Sequence, residues 1–196
     1  MPIQIPARLK DRVEQLFERM DNAYDRAAEQ SGFVCNGCEN NCCMTRFDHH
    51  TLLEFLYLRE GLARLPSGLR ETLRQRALAV MEQAADLQRR RKAVRVMCPL
   101  NEDGRCILYA HRPMICRLHG IPHALRRPDG TVQTGPGCDD YYAQCGASTR
   151  NRLDRTPLYV AMAQLEQLLR TELRFDRKIK MTVAEMIVDN SVKFKV

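Results

Sequence analysis

The stretch "FVCNGCENNCCMT", residues 33–45, places Cys35, Cys38, Cys42 and Cys43 within nine positions, the last two adjacent. Thiols this close together, in a chain with no sign of being secreted, point to a metal centre. The C-x2-C pair Cys35 and Cys38 lets two thiolates converge on one metal or one cluster, because the turn between them directs backbone N–H groups toward the sulfurs. Cys42 and Cys43 pose a different problem. Neighbouring side chains in an extended segment diverge, so the two do not easily serve one mononuclear ion. Three alternatives stand: they serve two centres, they serve two metals of one centre, or one of them is only a buried thiol.

Further along, "MCPLNEDGRCILYAHRPMICRLHG", residues 97–120, supplies Cys98, Cys106 and Cys116, and "GPGCDDYYAQCG" supplies Cys138 and Cys145. Pro99 fixes an extended backbone at Cys98. The nine cysteines fill two four-ligand sites with one left over, or one site with several spare. All nine are candidate metal or cluster ligands. The plainer reading, that they are small buried hydrophobes, suits one or two of them and not a cluster. A disulfide framework is disfavoured by the odd count and the lack of a leader.

The rest of the 196 residues frames these blocks with helices. Residues 7–30 carry Leu9, Val13, Leu16, Phe17, Met20, Tyr24 and Ala27 at helical spacing, and Gly32 is the stop. Residues 49–60 read as a second helix capped by Asp48. A third runs from about Leu69 to Val94, with Arg89, Arg90, Arg91 and Lys92 at the end that favours cations. From Cys98 to Cys145 Pro and Gly become frequent. "RLHGIPHALRRPDGTVQTG" predicts a short hairpin turning at Pro128-Asp129-Gly130. So loop-rich a region buries little apolar surface, and metal ligation is what would hold it together. After Arg155 helices return, with Thr156 as cap and Pro157 at the first helical position. "TVAE", from Thr182 to Glu185, matches a capping box for a short last helix. The expected fold is mainly α: an irregular cysteine-rich metal-binding centre with a short β-hairpin, wrapped by four to five helices. The expected organisation is an N-terminal helix over 1–32, a cysteine-cluster core over 33–147 and a C-terminal helical extension over 148–196.

Composition narrows the function classes. Trp is absent and aromatics are 6%, which argues against a stacking platform for single-stranded nucleic acid. "MPIQIPARLKDRVEQLFERM" lacks the apolar run of a secretory signal. No stretch approaches the roughly 18–20 apolar residues of a membrane span. The expectation is a cytoplasmic protein in a reducing compartment, where clustered thiols mean metal rather than disulfides. The formal charge of +7 counts each cysteine as neutral. Four thiolates around one divalent ion leave a charge of about −2, so two such centres bring the protein close to neutral.

The two large blocks together resemble the CxxCxxCC cysteine-cluster family, the YkgJ-like proteins described as zinc- or iron-chelating. The resemblance rests on the first cluster with its double cysteine and on "CPL…GRCILYAHRPMICR", which is similar to the family's C-P, G-x-C-x-I-Y and R-P-x-x-C-R elements. It spans residues 35–117, and residues 1–30 and 150–196 lie outside it. Three residues (Glu39, Asn40, Asn41) precede the double cysteine where the family name implies two. The resemblance implies a metal-binding role. A related motif in the flagellin lysine methylases, which use an iron–sulfur cluster, makes iron–sulfur chemistry the natural expectation without carrying over methylation.

The cysteine spacings match neither a paired zinc ribbon nor the ferredoxin run. An excess of thiols over four favours a polynuclear centre. The expected cofactor is one or two iron–sulfur clusters, with zinc as the alternative, and the expected role is redox or metal-dependent catalysis. The other readings are a structural zinc module whose basic segment Arg89 to Lys92 binds RNA or an acidic protein, and a metal chaperone or store. Arg46, Arg105, Arg112 and Arg117, each near a cysteine, would hydrogen-bond sulfur or contact acids. The plainer reading makes them surface arginines. His49, His50 and His119 are tempting ligands, but polar residues at a helix start and a sufficiency of thiols explain them as well. Tyr141 and Tyr142 are expected to pack against the site. No nucleophile–base pair or phosphate loop stands out.

Overall fold

Gly32, Gly104 and Gly130 all take positive φ, and each closes a turn that sets where a helix or hairpin ends. The structure is a computed structural model and describes residues 4–35, 42–146 and 152–189. In chain order it contains α1 (Ala7–Ser31), α2 (Leu52–Ala63), α3 (Ser67–Arg89), β1 (Asn101–Glu102), β2 (Arg105–Cys106), α4 (Met114–Leu118), β3 (His123–Arg126), β4 (Val132–Gly135), α5 (Asp139–Cys145), β5 (Leu153–Asp154), α6 (Thr156–Leu173) and α7 (Val183–Val188). The fold is mainly α, as the periodicity predicts. The two helices not read from sequence, α4 and α5, are short and lie in the cysteine-rich middle. Among the described residues no helix is long and apolar enough to cross a membrane.

The chain forms two units. One comprises residues 4–6, 43–113 and 168–189 of the described chain. Its centre is α2, which buries Leu52, Leu53, Leu56, Leu58 and Leu62 all round its circumference. A helix apolar on every side is a core helix rather than a surface one. Its N-cap is Thr51 and not Asp48. Thr51 sits in the extended region and its hydroxyl accepts the Glu54 N–H at 3.1 Å. Asp48 is instead drawn to two cations, Arg46 at 3.8 Å and Lys180 at 3.4 Å. α2 packs on α7, which opens with the capping box read from "TVAE": the Thr182 hydroxyl accepts the Glu185 N–H and the Glu185 carboxylate accepts the Thr182 N–H.

α3 ends at Arg89, five residues before the expected Val94. Arg91 adopts φ +54°, and the Lys92 N–H returns to the Leu87 carbonyl at 2.9 Å. This is a Schellman closure made without glycine.

The second unit comprises residues 7–35, 42, 114–146 and 152–167 of the described chain. α1 buries Leu9, Val13, Leu16, Phe17, Met20 and Ala27, the stripe its spacing predicts. It ends as read, at Gly32, with the Phe33 N–H on the Ala28 carbonyl and the Gly32 N–H on the Glu29 carbonyl. β3 and β4 form the expected antiparallel hairpin, paired from His123↔Gly135 to Arg126↔Val132. Its tip is closed by the Asp129 carboxylate, which accepts from both the N–H and the hydroxyl of Thr131. β5 adds to β3 in parallel, a strand not read from sequence. That addition changes the start of α6, since the Thr156 hydroxyl accepts the Arg126 N–H and the Asp154 carboxylate takes the Thr156 N–H.

In α2, a Cβ on Gly61 would stand 2.6 Å from the His111 ring, which also lies 4.7 Å from the Tyr57 ring. Gly61→Ala should therefore lose about 1–3 kcal/mol to overpacking, against the roughly 1 kcal/mol that alanine ordinarily gains in a helix. Urea unfolding measures the net sign, and adding His111→Ala should reverse it. Arg91→Gly relieves a left-handed residue and should stabilise by about 1 kcal/mol, read in the same assay. A loss there would mean that the Arg91 side chain holds more than its backbone costs.

Candidate metal centre

Eight of the nine cysteines are described and all eight are free thiols; Cys38 lies outside the described residues. Cys42 and Cys43 sit in one 3-10 turn, Cys42–Met44, and not in an extended segment. With about three residues per turn, consecutive side chains there still point some 120° apart. Cys42 belongs to the unit of α1, and Cys43 to the unit of α2. Each joins a different thiol neighbourhood.

In the α2 unit, the Cys98 N–H donates to the Cys43 carbonyl at 2.8 Å, which ties the first cysteine block to the second. Past Pro99 the chain folds back at once. The Asn101 N–H reaches the Cys98 carbonyl at 3.0 Å, and β1 pairs with β2 so that Asn101 faces Cys106. Asp103 (φ +48°) and Gly104 (φ +83°) make the two-residue turn. Positive φ at both positions is the type I′ pattern, for which Asp-Gly is the favoured pair. The hairpin thus returns Cys106 beside Cys98. Burial pushes the Cys98 thiol up to about 12, and the neighbouring Cys43 and Cys106 push the same way against a backbone hydrogen bond at Leu100. Like charges among three thiols oppose ionisation, and a bound cation is what would offset them.

In the α1 unit, Cys35 follows the helix stop directly. The segment is strapped down by Gln144 of α5, whose side chain bonds both the N–H and the carbonyl of Val34 at 3.0 Å, and Phe33 lies 5.3 Å from the Tyr141 ring. Cys138 caps α5, its sulfur accepting the Tyr141 N–H at 3.4 Å and its own N–H donating to the Gly120 carbonyl at 2.9 Å. Gly137 is required there, because a Cβ would meet the Gly120 carbonyl, Pro122 and Tyr141 at 2.9 Å each. Tyr141 is buried, and the Tyr142 ring stands edge-on to it at 5.6 Å. The sequence reading passed over Tyr24. Its hydroxyl is hydrogen-bonded to Cys35 and lies within electrostatic range of Cys138 and Cys42; burial first, then these thiols, drive its pKa upward. Cys116 is carried by α4 and Cys145 ends α5.

Thus Cys43, Cys98 and Cys106 share one surrounding, and Cys35, Cys42 and Cys138 another. Among the described residues no group of three or more His, Cys, Asp or Glu is gathered tightly enough to hold a metal ion. The donor chemistry suits a soft metal or an iron–sulfur cluster, and the described side chains stop short of a closed coordination shell.

The flanking arginines face acids and rings. Arg117, buried, pairs with Asp21 and stacks 4.6 Å over Phe17; Arg112 stacks 3.5 Å over Tyr109; Arg46 reaches Asp48. In the basic stretch, Arg89 and Arg90 both bond Asp86, at 3.4 and 2.8 Å, while remaining mostly exposed. That arrangement is a solvated helix end with part of its charge neutralised locally. His49 is buried in a β-bridge with Met181 and lies 3.7 Å from the buried Glu54 carboxylate. This placement gives it a packing role.

His119 and His123 face cations. Arg155 is buried and bonds the Leu118 carbonyl. Burial first, then Arg155, lowers the pKa of His119; the same two causes, with His119 and Arg152 adding, lower that of His123 to about 4. A histidine held neutral in the fold contributes stability that is present above its ordinary value of 6.5 and lost as pH falls through 4. The urea midpoint should therefore drop across that window. His123→Gln should flatten the drop, and an unchanged slope would remove His123 as its source.

Comparison with known proteins adds no name: no family model, no curated protein and no solved structure matches the chain.

Proposed function

We propose that the chain is a thiolate metalloprotein with two separate centres, one in each unit, each holding an iron–sulfur cluster. The observation that carries this reading is the division of the double cysteine. Cys43 goes with Cys98 and Cys106, whereas Cys42 goes with Cys35 and Cys138. Two adjacent thiols that serve different neighbourhoods explain why the motif needs both. The C-x2-C spacing adds Cys38 to the Cys35 group. Resemblance of the two cysteine blocks to the YkgJ-like family supports the same chemistry.

An iron–sulfur cluster supplies one-electron redox or Lewis-acid chemistry. The chain's own residues do the rest. The β1–β2 hairpin brings Cys106 beside Cys98, and Cys138 caps α5. Zinc at the same thiolates is the second reading. It is favoured in the α2 unit, where withdrawal of Cys98 from water suits a closed structural site. Clustered reduced thiols also favour a reducing compartment such as the cytoplasm.

The deciding measurement is iron, zinc and sulfide content with an absorption spectrum on protein purified without oxygen. Iron and sulfide in matching amounts are expected, and colourless protein with tightly held zinc would replace clusters by zinc. Cys98→Ser and Cys138→Ser should each remove about half of the bound metal. Full metal in both variants would refute the assignment of these thiols.

A further inference from the structure

Arg155 carries a charge that its surroundings leave uncompensated. The residue is only 3% exposed. Its Nη2 donates to the Leu118 carbonyl, and the Tyr159 hydroxyl lies beside the group. Its Nε is buried with no hydrogen-bond partner, and among the described residues no carboxylate pairs with it. Asp154, the adjacent acid, is exposed and accepts the Thr156 N–H instead. A fully buried guanidinium is ordinarily paired with an anion, and this one is not.

The sheet gathers further basic groups around it. β5 pairs with β3 in parallel, Leu153 opposite His123, and the Arg155 N–H continues that ladder to the Ala124 carbonyl. Side chains two residues apart on a strand share a face, so Arg155 lies on the face of Leu153 and His123. The His123 ring rests against Gly135, its antiparallel partner, where a Cβ would stand 2.5 Å from Nε2. Arg152 reaches the same glycine, its Nη1 donating to the Gly135 carbonyl at 3.4 Å. His119 follows Leu118, whose carbonyl holds Arg155. The Nδ1 of His123, like the Nε of Arg155, is buried without a partner. Arg152 is exposed and both histidines are partly so. The buried charge is thus roofed by basic side chains that reach water. Both rings sense it, since after burial Arg155 is the next cause lowering their pKa.

We infer that this face of the β3–β5 ladder binds an oxyanion of the phosphate class, with Arg152 and His123 as its direct ligands and Arg155 as the buried charge beneath them. A guanidinium offers paired N–H donors that match two oxygens of a phosphate, and the imidazole beside it adds a third donor. A cation withdrawn from water attracts such an anion through a lower dielectric than one at the surface. None of these groups is a proposed metal ligand, so the site stands apart from the metal reading.

The probe is inorganic phosphate, titrated by calorimetry into the full chain at low, fixed ionic strength. Binding at a single site is expected. Arg152→Ala and His123→Leu should each weaken it by about tenfold, the loss of one hydrogen bond to a charged group. Arg89→Ala, which removes the same charge from the end of α3, should leave it unchanged. Arg155→Met should abolish binding, and where that variant fails to fold the Arg152 and His123 variants decide the matter. Phenyl phosphate separates the sources of the anion. Binding at least as tight as that of inorganic phosphate assigns the site to the phosphate of a larger ligand, and weaker binding assigns it to the free ion. No binding of either compound overturns the site. Equal weakening by Arg89→Ala and Arg152→Ala overturns it too, because net charge alone would then account for the attraction.

Discussion

A backbone turn brings Cys106 beside Cys98 and Cys43, and thiols so gathered oppose one another's ionisation. Thiolates bind metal and thiols do not, yet thiolates brought together repel one another. At Cys98 burial and then two neighbouring thiols push the thiol's pKa in the same direction. Such a surrounding is costly without a cation. It is arranged by the Asp103-Gly104 turn, with two positive φ angles, and by the Cys43 carbonyl, which accepts the Cys98 N–H. On the reading proposed above, a bound cation would neutralise what the backbone has assembled.

The same constraint orders the cations. Arg117 does not stand free beside Cys116. It is fixed by Asp21 and Phe17 of α1, which are in its own unit. Arg155 is buried on the Leu118 carbonyl, and it adds to burial in lowering the pKa of His119 and His123. Burying a guanidinium costs several kcal/mol unless hydrogen bonds replace its water. These arginines are therefore struts between α4 and its neighbours in the second unit. The cysteine-rich middle also buries Leu100, Leu108, Leu118, Ile121 and Tyr141, so packing holds it as well, contrary to the expectation from its loop-rich sequence.

How much of this was legible depended on how local the cause was. The stripe of α1, its stop at Gly32, the hairpin at Asp129-Gly130 and the capping box at Thr182 follow from residues three or four apart, and all four stand in the structure. Asp48 misled because Thr51 offers the same chemistry three residues later, and the choice was settled by Lys180, far along the chain. The end of α3 misled because the closing residue is arginine, not the glycine that marks such stops. β5 was invisible because two residues of strand carry no period. The β1–β2 turn was there to be read in Asp103-Gly104. Tyr24 could not be separated from the apolar stripe it sits in, since only the fold brings Cys35 to its hydroxyl.

The double cysteine ties these threads together. In a 3-10 turn, as in a strand, two consecutive side chains leave the backbone in different directions. A motif that places thiols side by side therefore cannot be improving one small site by adding a ligand to it. It distributes sulfur to two surroundings from a single point of the chain. The backbone that orients Cys43 toward the Cys98 hairpin also limits where Cys42 can go.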